Sequence, residues 1–293
     1  MSSDPLHGAP HGSDHRSDRG ASHGSEPGSE QPLPPSLKGR YPFSLTVPSY
    51  LYPGTIELNV RLLRGLVDEM ELLLFESLGE SSLPTVMEIE TIRVLSAESG
   101  LRFNVHLPLD IDIASADEET ARRSLGTVAR ILDLTASLEP ASYTLHVLRT
   151  ETEPAAPWRE RVRAALAALP EPRARFGVET LAWDLRDVRD ILCGLGLTVC
   201  VDVGHLLLQG RSVAALLETF SDRISMIHLH GVRWGKDHQS LLHLEPGIRQ
   251  TISDWVRRTH YRASLSVEVF GIDPYLESLP VVGSMFREET SPC

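Results

Sequence analysis

The sequence predicts an α/β protein of the (β/α)8 barrel class, preceded by a disordered N-terminal tail. Three observations predict it. From about residue 41, short apolar or β-branched runs alternate with amphipathic stretches of helical period. Such alternation means a parallel sheet with helices outside it. Eight units of this kind fit in the roughly 250 residues that a closed barrel needs. No glycine-rich phosphate fingerprint follows the first strand, which disfavours an open doubly wound sheet.

Residues 1–38 stand apart. The stretch "HGAPHGSDHRSDRGASHGSEPGSEQPLPP" is rich in Gly, Ser, Pro and His and nearly devoid of apolar residues. It cannot bury enough surface to offset its ordering entropy, so it is expected to be a solvated, disordered tail. His7, His11, His15 and His23 could hold a metal loosely, but solvated polar composition is the plainer reading. Residues 39–293 then form one catalytic-size domain. Its strand candidates run in the order "FSLTVPSYL", "DEMELLLFES", "RFNVHLPL", "SYTLHVLR", "RFGVETLA", "LTVCVDVGHL", "ISMIHLHGV" and "ASLSVEVFG". Helical patterns such as "TIELNVRLLRGLV", "DEETARRSLGTVARILDLTASL", "WRERVRAALAAL" and "IRQTISDWVRRTH" lie between them.

Bulk properties narrow the class further. The chain has 293 residues, 41% hydrophobic and 23% charged, enough for one large core. No run approaches the roughly 18 apolar residues of a membrane helix, and the polar N-terminus does not read as a secretory signal. Cys193, Cys200 and Cys293 show no CxxC pair and no disulfide spacing, which suits a reducing cytoplasm. A formal net charge of −12 argues against a non-specific nucleic-acid coat.

The strand ends carry the chemistry. His106 closes the third strand, His146 the fourth and Glu179 the fifth. Asp202 and His205 leave the sixth. His228 and His230 end the seventh, followed by Asp237 and His238, and Glu268 ends the eighth. In a barrel these ends converge on one mouth. A lone strand histidine is more often a satisfied core group than a ligand, and a lone glutamate is often paired with an arginine. Six consecutive strands ending this way is a different matter. Clustered buried carboxylates are costly without a compensating cation, and imidazoles beside carboxylates suit a borderline divalent metal. There are more such groups than one tetrahedral ion needs, so two or three ions, zinc or manganese, are expected. Gly204 is expected to let the chain turn, so that Asp202 and His205 both face the mouth.

This ordered set resembles the xylose-isomerase-like barrel superfamily, and more narrowly its endonuclease IV branch, over most of residues 43–270. The branch pattern is His, His, Glu, Asp-x-x-His, His, Asp-x-His and Glu. It falls here on His106, His146, Glu179, Asp202 with His205, His228, the segment "KDHQSL" and Glu268. The resemblance implies a metal cluster that hydrolyses phosphodiesters, with Glu179 and Glu268 as the catalytic carboxylates. There is one departure. With His238 on the ligand position, the branch's Asp falls on Lys236, and Asp237 is one residue late.

The stretches "PSYLYP", "NVRLL" and "VDEMELLLFES" resemble the opening of the cobamide-remodelling phosphodiesterases, a bacterial family in the same superfamily. That resemblance implies a small-molecule corrinoid substrate, a vitamin B12-type cofactor cleaved at the phosphodiester of its nucleotide loop. Tyr50 and Tyr52 are candidates to pack on a large planar ligand, although barrel packing explains them equally well. Glu76, His230 and Lys236 are further substrate-binding candidates; for Glu76 a salt bridge at the rim is the plainer reading. An abasic-site nuclease, a sugar isomerase or epimerase, and a non-catalytic corrinoid- or metal-binding protein are the rival classes. A nuclease would need a basic, aromatic-laced groove, and an isomerase would use fewer metal ligands.

Overall fold

The computed structural model describes residues 32–77, 83–150 and 152–286. The expected tail lies outside the described residues as far as residue 31, together with its four histidines. By residue 37 the chain is anchored: Leu37 is buried, and its N–H donates to Leu66 O at 2.8 Å.

Seven strands follow one another around the sheet: β1 (Ser44–Pro48), β2 (Glu69–Leu73), β3 (Arg102–His106), β4 (Tyr143–Leu145), β5 (Phe176–Glu179), β6 (Thr198–Asp202) and β7 (Ile224–Leu229). A short antiparallel hairpin interrupts the alternation, β8 (Gly231–Arg233) and β9 (Lys236–Gln239). Then β10 (Ser264–Val267) pairs with both β7 and β1, all parallel, and closes an eight-stranded barrel. The expected barrel is therefore observed, with each of its eight strands where the apolar runs place it. The second strand ends at Leu73, so Glu76 sits in the loop beyond it.

Nine α-helices occur among the described residues: α1 (Ile56–Leu63), α2 (Val86–Ser99), α3 (Glu118–Thr135), α4 (Ala155–Ala167), α5 (Arg189–Leu195), α6 (Val203–Leu208), α7 (Val213–Thr219), α8 (Pro246–Thr259) and α9 (Ile272–Phe286). Local chemistry sets their ends. Thr85 and Glu88 form a reciprocal capping box at the start of α2, and Gly100 ends it with φ +64. Asp117 caps α3 through the N–H of Thr120. Pro246 opens α8, where its missing N–H is no loss. No helix among the described residues is long and apolar enough to cross a membrane.

Alternation along each strand sorts the barrel into two faces. Leu45, Val47, Met70, Leu72, Phe103 and Val105 belong to the buried apolar cluster. The residues between them carry the polar interior. Low in the barrel, Glu69 takes Thr46 Oγ1 at 3.1 Å, Asn104 Nδ2 at 2.7 Å, the Ser264 hydroxyl, and the Arg102 guanidinium at 2.8 Å. That carboxylate is fully supplied with donors, and the layer above it begins the site.

Gly204 lies within α6 and has no left-handed φ, so it does not serve as a turn. Its role is close approach. A Cβ there would lie 1.9 Å from Cε1 of His230, a fully buried ring with no room to retreat. Gly194, in α5, meets nothing within 4 Å. Gly204→Ala should therefore lower the unfolding free energy in urea titrations by about 1–3 kcal/mol. Gly194→Ala should leave it unchanged or raise it by up to about 1 kcal/mol; equal effects at the two positions would refute the packing argument.

Candidate metal centre

Glu179, at the end of β5, is the hub of the mouth. Its Oε2 lies 3.1 Å from His106 Nε2 and 2.6 Å from His146 Nε2. Its Oε1 lies 3.3 Å from His228 Nδ1 and 3.6 Å from His205 Nδ1. Register explains the convergence, because β3, β4 and β5 are neighbours in the barrel and each contributes from its C-terminal end. The other nitrogen of His106 is held by Leu107 O at 2.8 Å, which leaves Nε2 facing the mouth.

The β6 exit works as a cap. Asp202 is the N-cap of α6, and its Oδ1 accepts the His205 N–H at 2.7 Å. The Asp-x-x-His spacing is thus the N-cap to N3 spacing of a helix. Asp202 and His205 reach the mouth because that helix begins at the strand's last residue. His230 Nε2 lies 3.1 Å from both oxygens of Asp202. The His238 backbone N–H donates to His230 Nδ1 at 2.9 Å. His230 Nε2 therefore donates to Asp202, while its Nδ1 lies between the His238 N–H and Gly231 O at 3.4 Å. It is a buried group that orients the carboxylate rather than one open to substrate.

The hairpin completes the ring. Its two-residue turn, Trp234–Gly235, has φ +53 and +74, the type I′ form that matches strand twist. The pairing Gly231↔Gln239 at its base brings β9 back over the barrel. Asp237 Oδ2 reaches 3.6 Å from His205 Nε2, although it is one residue out of step in sequence. His238 Nδ1 lies 3.1 Å from Glu268 O, to which it can donate, and 3.7 Å from Glu268 Oε2. Lys236 is exposed on the same strand and stands outside these groups.

Eight of the nine expected ligands fall in overlapping sets whose possible ligand atoms lie within 4.8 Å of one another, and Asp202 lies beside them, its Oδ2 3.8 Å from His228 Nδ1. Among these sets are His106–His146–Glu179, His205–Asp237–His238, His230–His238–Glu268 and Glu71–His228–Glu268. The substrate candidates separate. Tyr50 is half-buried and stacks on Phe75, with ring centroids 6.1 Å apart. Tyr52 is buried, its backbone N–H held by Asn59 Oδ1 at 2.8 Å, so it belongs to the barrel wall. Glu76 is exposed in the loop after β2. The carboxylate that β2 does bring to the site is Glu71, which the reading of strand ends passed over. Its signal was the inward period of two, Glu69 then Glu71, within the otherwise apolar run "EMELLL".

Electrostatics shows what the site can hold. Glu71, Glu179, Asp202 and Glu268 are all at most 3% exposed. Burial opposes the ionised form of Glu179, but His146, His106 and His228 outweigh it and hold the carboxyl well below its usual range. Asp202 is held down in the same way by His230 and His205. Burial likewise opposes the His106 cation, but Glu179 and Glu71 outweigh that and lift it to about 9. His146 goes the other way, since burial exceeds the pull of Glu179 and pushes its imidazole below its usual range. Even so, the buried Glu71 Oε2 and Glu268 Oε2 accept no well-aligned hydrogen bond, although each lies 3.1 Å from a His228 nitrogen. An unpaired buried acceptor costs on the order of 1–3 kcal/mol, more when charged. Orphaned carboxylate oxygens among imidazoles fit divalent cations, with oxygen and nitrogen donors suited to zinc or manganese.

Comparison with known proteins agrees with this architecture. Among solved structures, the E. coli 3-keto-D-glucoside 4-epimerase YcjR in apo form aligns with a TM-score of 0.64 at 17% identity, covering 83% of this chain and 98% of its own. A D-tagatose 3-epimerase-like protein aligns at 0.66 and 15% identity, covering 83% and 97%. The IOLI protein with a binding zinc atom aligns at 0.68 and 11% identity, covering 83% and 98%. Identities this low speak for the fold alone. No curated protein sequence matches the chain. A family model described as the xylose isomerase-like TIM barrel matches residues 67–282, and the chain belongs to that family.

Proposed function

We propose that this protein is a metal-dependent phosphodiesterase whose substrate is the nucleotide-loop phosphodiester of a cobamide, cleaved in corrinoid salvage. The observation that carries the reading is the number of donors. Separate triads of ligand atoms share the carboxylates Glu179 and Glu268, which exceeds what one ion can use. Two or three divalent ions held there would polarise phosphoryl oxygens, lower the pKa of a bound water and stabilise the leaving oxygen. The chain's own groups do the rest. Glu179 and Glu268 hold the donor sets at a common spacing, and their ionised oxygens can accept a proton from an attacking water. Asp202, fixed by His230 and by the α6 N-terminus, is pre-set for its partner without reorganisation.

The walls of the mouth support a planar, anionic substrate. Tyr50 stacks on Phe75, Phe75 meets Phe270 at 5.9 Å, and Phe270 lies 4.7 Å from the His238 ring. This gives an aromatic flank directly beside the ligands. At the hairpin tip the Arg233 guanidinium lies 3.8 Å over the exposed Trp234 ring, and neither Arg233 nor Lys236 has an ion-pair partner among the described residues. The acidic body disfavours a DNA substrate. A second reading is sugar epimerisation, which the names of the similar structures favour. The excess of histidines over what such a site needs favours the phosphodiesterase.

Four measurements test this. After chelation and reloading, mass spectrometry should find two or three zinc or manganese ions per chain. The loaded protein should then release the lower-ligand nucleotide from an adenosylated cobamide, in parallel with abasic-site duplex DNA and a ketose as competing substrates. One ion with ketose turnover, or cleavage of DNA alone, would replace the reading. Glu268→Gln should lower kcat by about 10²- to 10³-fold, the scale of a lost electrostatic group, with an unchanged circular dichroism spectrum; wild-type turnover would remove Glu268 from the chemistry. For pH, His106 is protonated below about 9 in the metal-free protein and must be neutral to ligate. Metal affinity should therefore rise with pH from 6 to about 9 and metal uptake should release protons, read by calorimetry in buffers of differing ionisation heat. Affinity flat over that range would contradict the ligand assignment.

A further inference from the structure

Glu71 and Glu69 share one strand and one face, two residues apart, yet their surroundings differ. Glu69 meets four donors. Glu71 has two neighbours: Thr144 Oγ1 donates to its Oε1 at 3.1 Å, and His228 Nε2 lies 3.1 Å from each of its oxygens. The residue is fully buried, and nothing in the ordered family pattern accounts for it.

The explanation lies on the far side of the imidazole. His228 Nδ1 faces Glu268 Oε2 at 3.1 Å, Glu179 Oε1 at 3.3 Å and Asp202 Oδ2 at 3.8 Å. Three carboxylates around one nitrogen form a site for positive charge. A bare lone pair there would be repelled; a cation between the four groups would be held. If Nδ1 gives its lone pair to that cation, the ring proton must sit on Nε2. The acceptor in reach of Nε2 is Glu71.

We propose that Glu71 is a positioning residue for the metal centre. It accepts the Nε2–H of His228, fixes that tautomer and ring plane, and makes Nδ1 the ligating nitrogen. Thr144 in turn fixes the carboxylate. Carboxylates behind ligating histidines raise ligand basicity, and their loss typically weakens metal binding about 10- to 100-fold. The proposal rests on the metal reading of the site but on no particular substrate.

The test uses the full chain with Glu71→Gln and Glu71→Leu, and no readout involves turnover. Zinc affinity is measured by competition with a chromophoric chelator, zinc content by mass spectrometry, and the His228 tautomer by nitrogen-15 imidazole shifts of the zinc-loaded wild type. Glu71→Leu should bind its weakest-held zinc about 10- to 100-fold less tightly. Glu71→Gln, which still offers an oxygen to Nε2–H, should recover most of that loss. Zinc content at saturation should be unchanged, and His228 should show the Nε2–H form. Wild-type affinity in both variants would leave Glu71 a packing residue and overturn the proposal. Loss of one zinc from both would make Glu71 a direct ligand and overturn it too. Should Glu71→Leu not fold, the wild-type tautomer decides alone: zinc on Nε2 sinks the idea. A wild type that binds no zinc or manganese would refute the metal reading itself, whereas metal binding without cobamide cleavage would refute the substrate assignment only.

Discussion

The structure is organised around a charge problem. Four carboxylates, Glu71, Glu179, Asp202 and Glu268, sit out of water at one end of a barrel. Removing each from solvent carries a penalty of several kcal/mol even after relaxation. Their imidazole neighbours can offset this by holding protons, or cations can do so. In either case the groups must remain within a few ångströms of one another. A closed barrel is well suited to that demand, because every strand end is fixed by two neighbours and no side chain at the mouth can drift without disturbing a ladder. The close contact of Gly204 with His230, the cap that Asp202 places on α6, and the hairpin that returns Asp237 and His238 all follow from the same need.

Much of this was legible in the sequence. Parallel strands buried on both faces read as apolar runs, so the barrel could be counted. Most candidate ligands could be named because they end such runs or follow just beyond them, where a polar residue is conspicuous. Glu71 escaped because it lies inside a run rather than at its end, and only the closed curvature turns that face toward the site. Tyr52 misled for the opposite reason. It belongs to an exposed-looking "SYLYP" loop, but the Asn59 side chain bonds both its backbone N–H and its carbonyl and draws the segment inward. Asp237 shows the limit of spacing as a guide. One place late in sequence, it still reaches 3.6 Å from His205 Nε2 because it sits on a hairpin that folds back over the mouth.

The fold carries little information about the reaction. Proteins described as sugar epimerases share this barrel at identities of 11–18%, and one fold commonly hosts unrelated chemistries at its mouth. Discrimination lies in what fills the strand ends. Here the surplus of imidazoles, the carboxylates Glu179 and Glu268 shared among donor sets, and the aromatic flank of Tyr50, Phe75 and Phe270 set this mouth apart from the architecture that carries it.

Closure of the sheet also orders events during synthesis. β1 meets its last neighbour through Ser44↔Ser264, a pairing that spans most of the chain. Contacts so distant in sequence form late. His106, His146 and Glu179 come from three consecutive strands whose pairing is local. Their half of the centre can be assembled while the ribosome is still making the remainder. Glu268 emerges near the end, so the carboxylate that unites the two halves arrives only as the ring shuts. Until the ring shuts, His106, His146 and Glu179 therefore stand without the carboxylate that links them to the other half of the mouth.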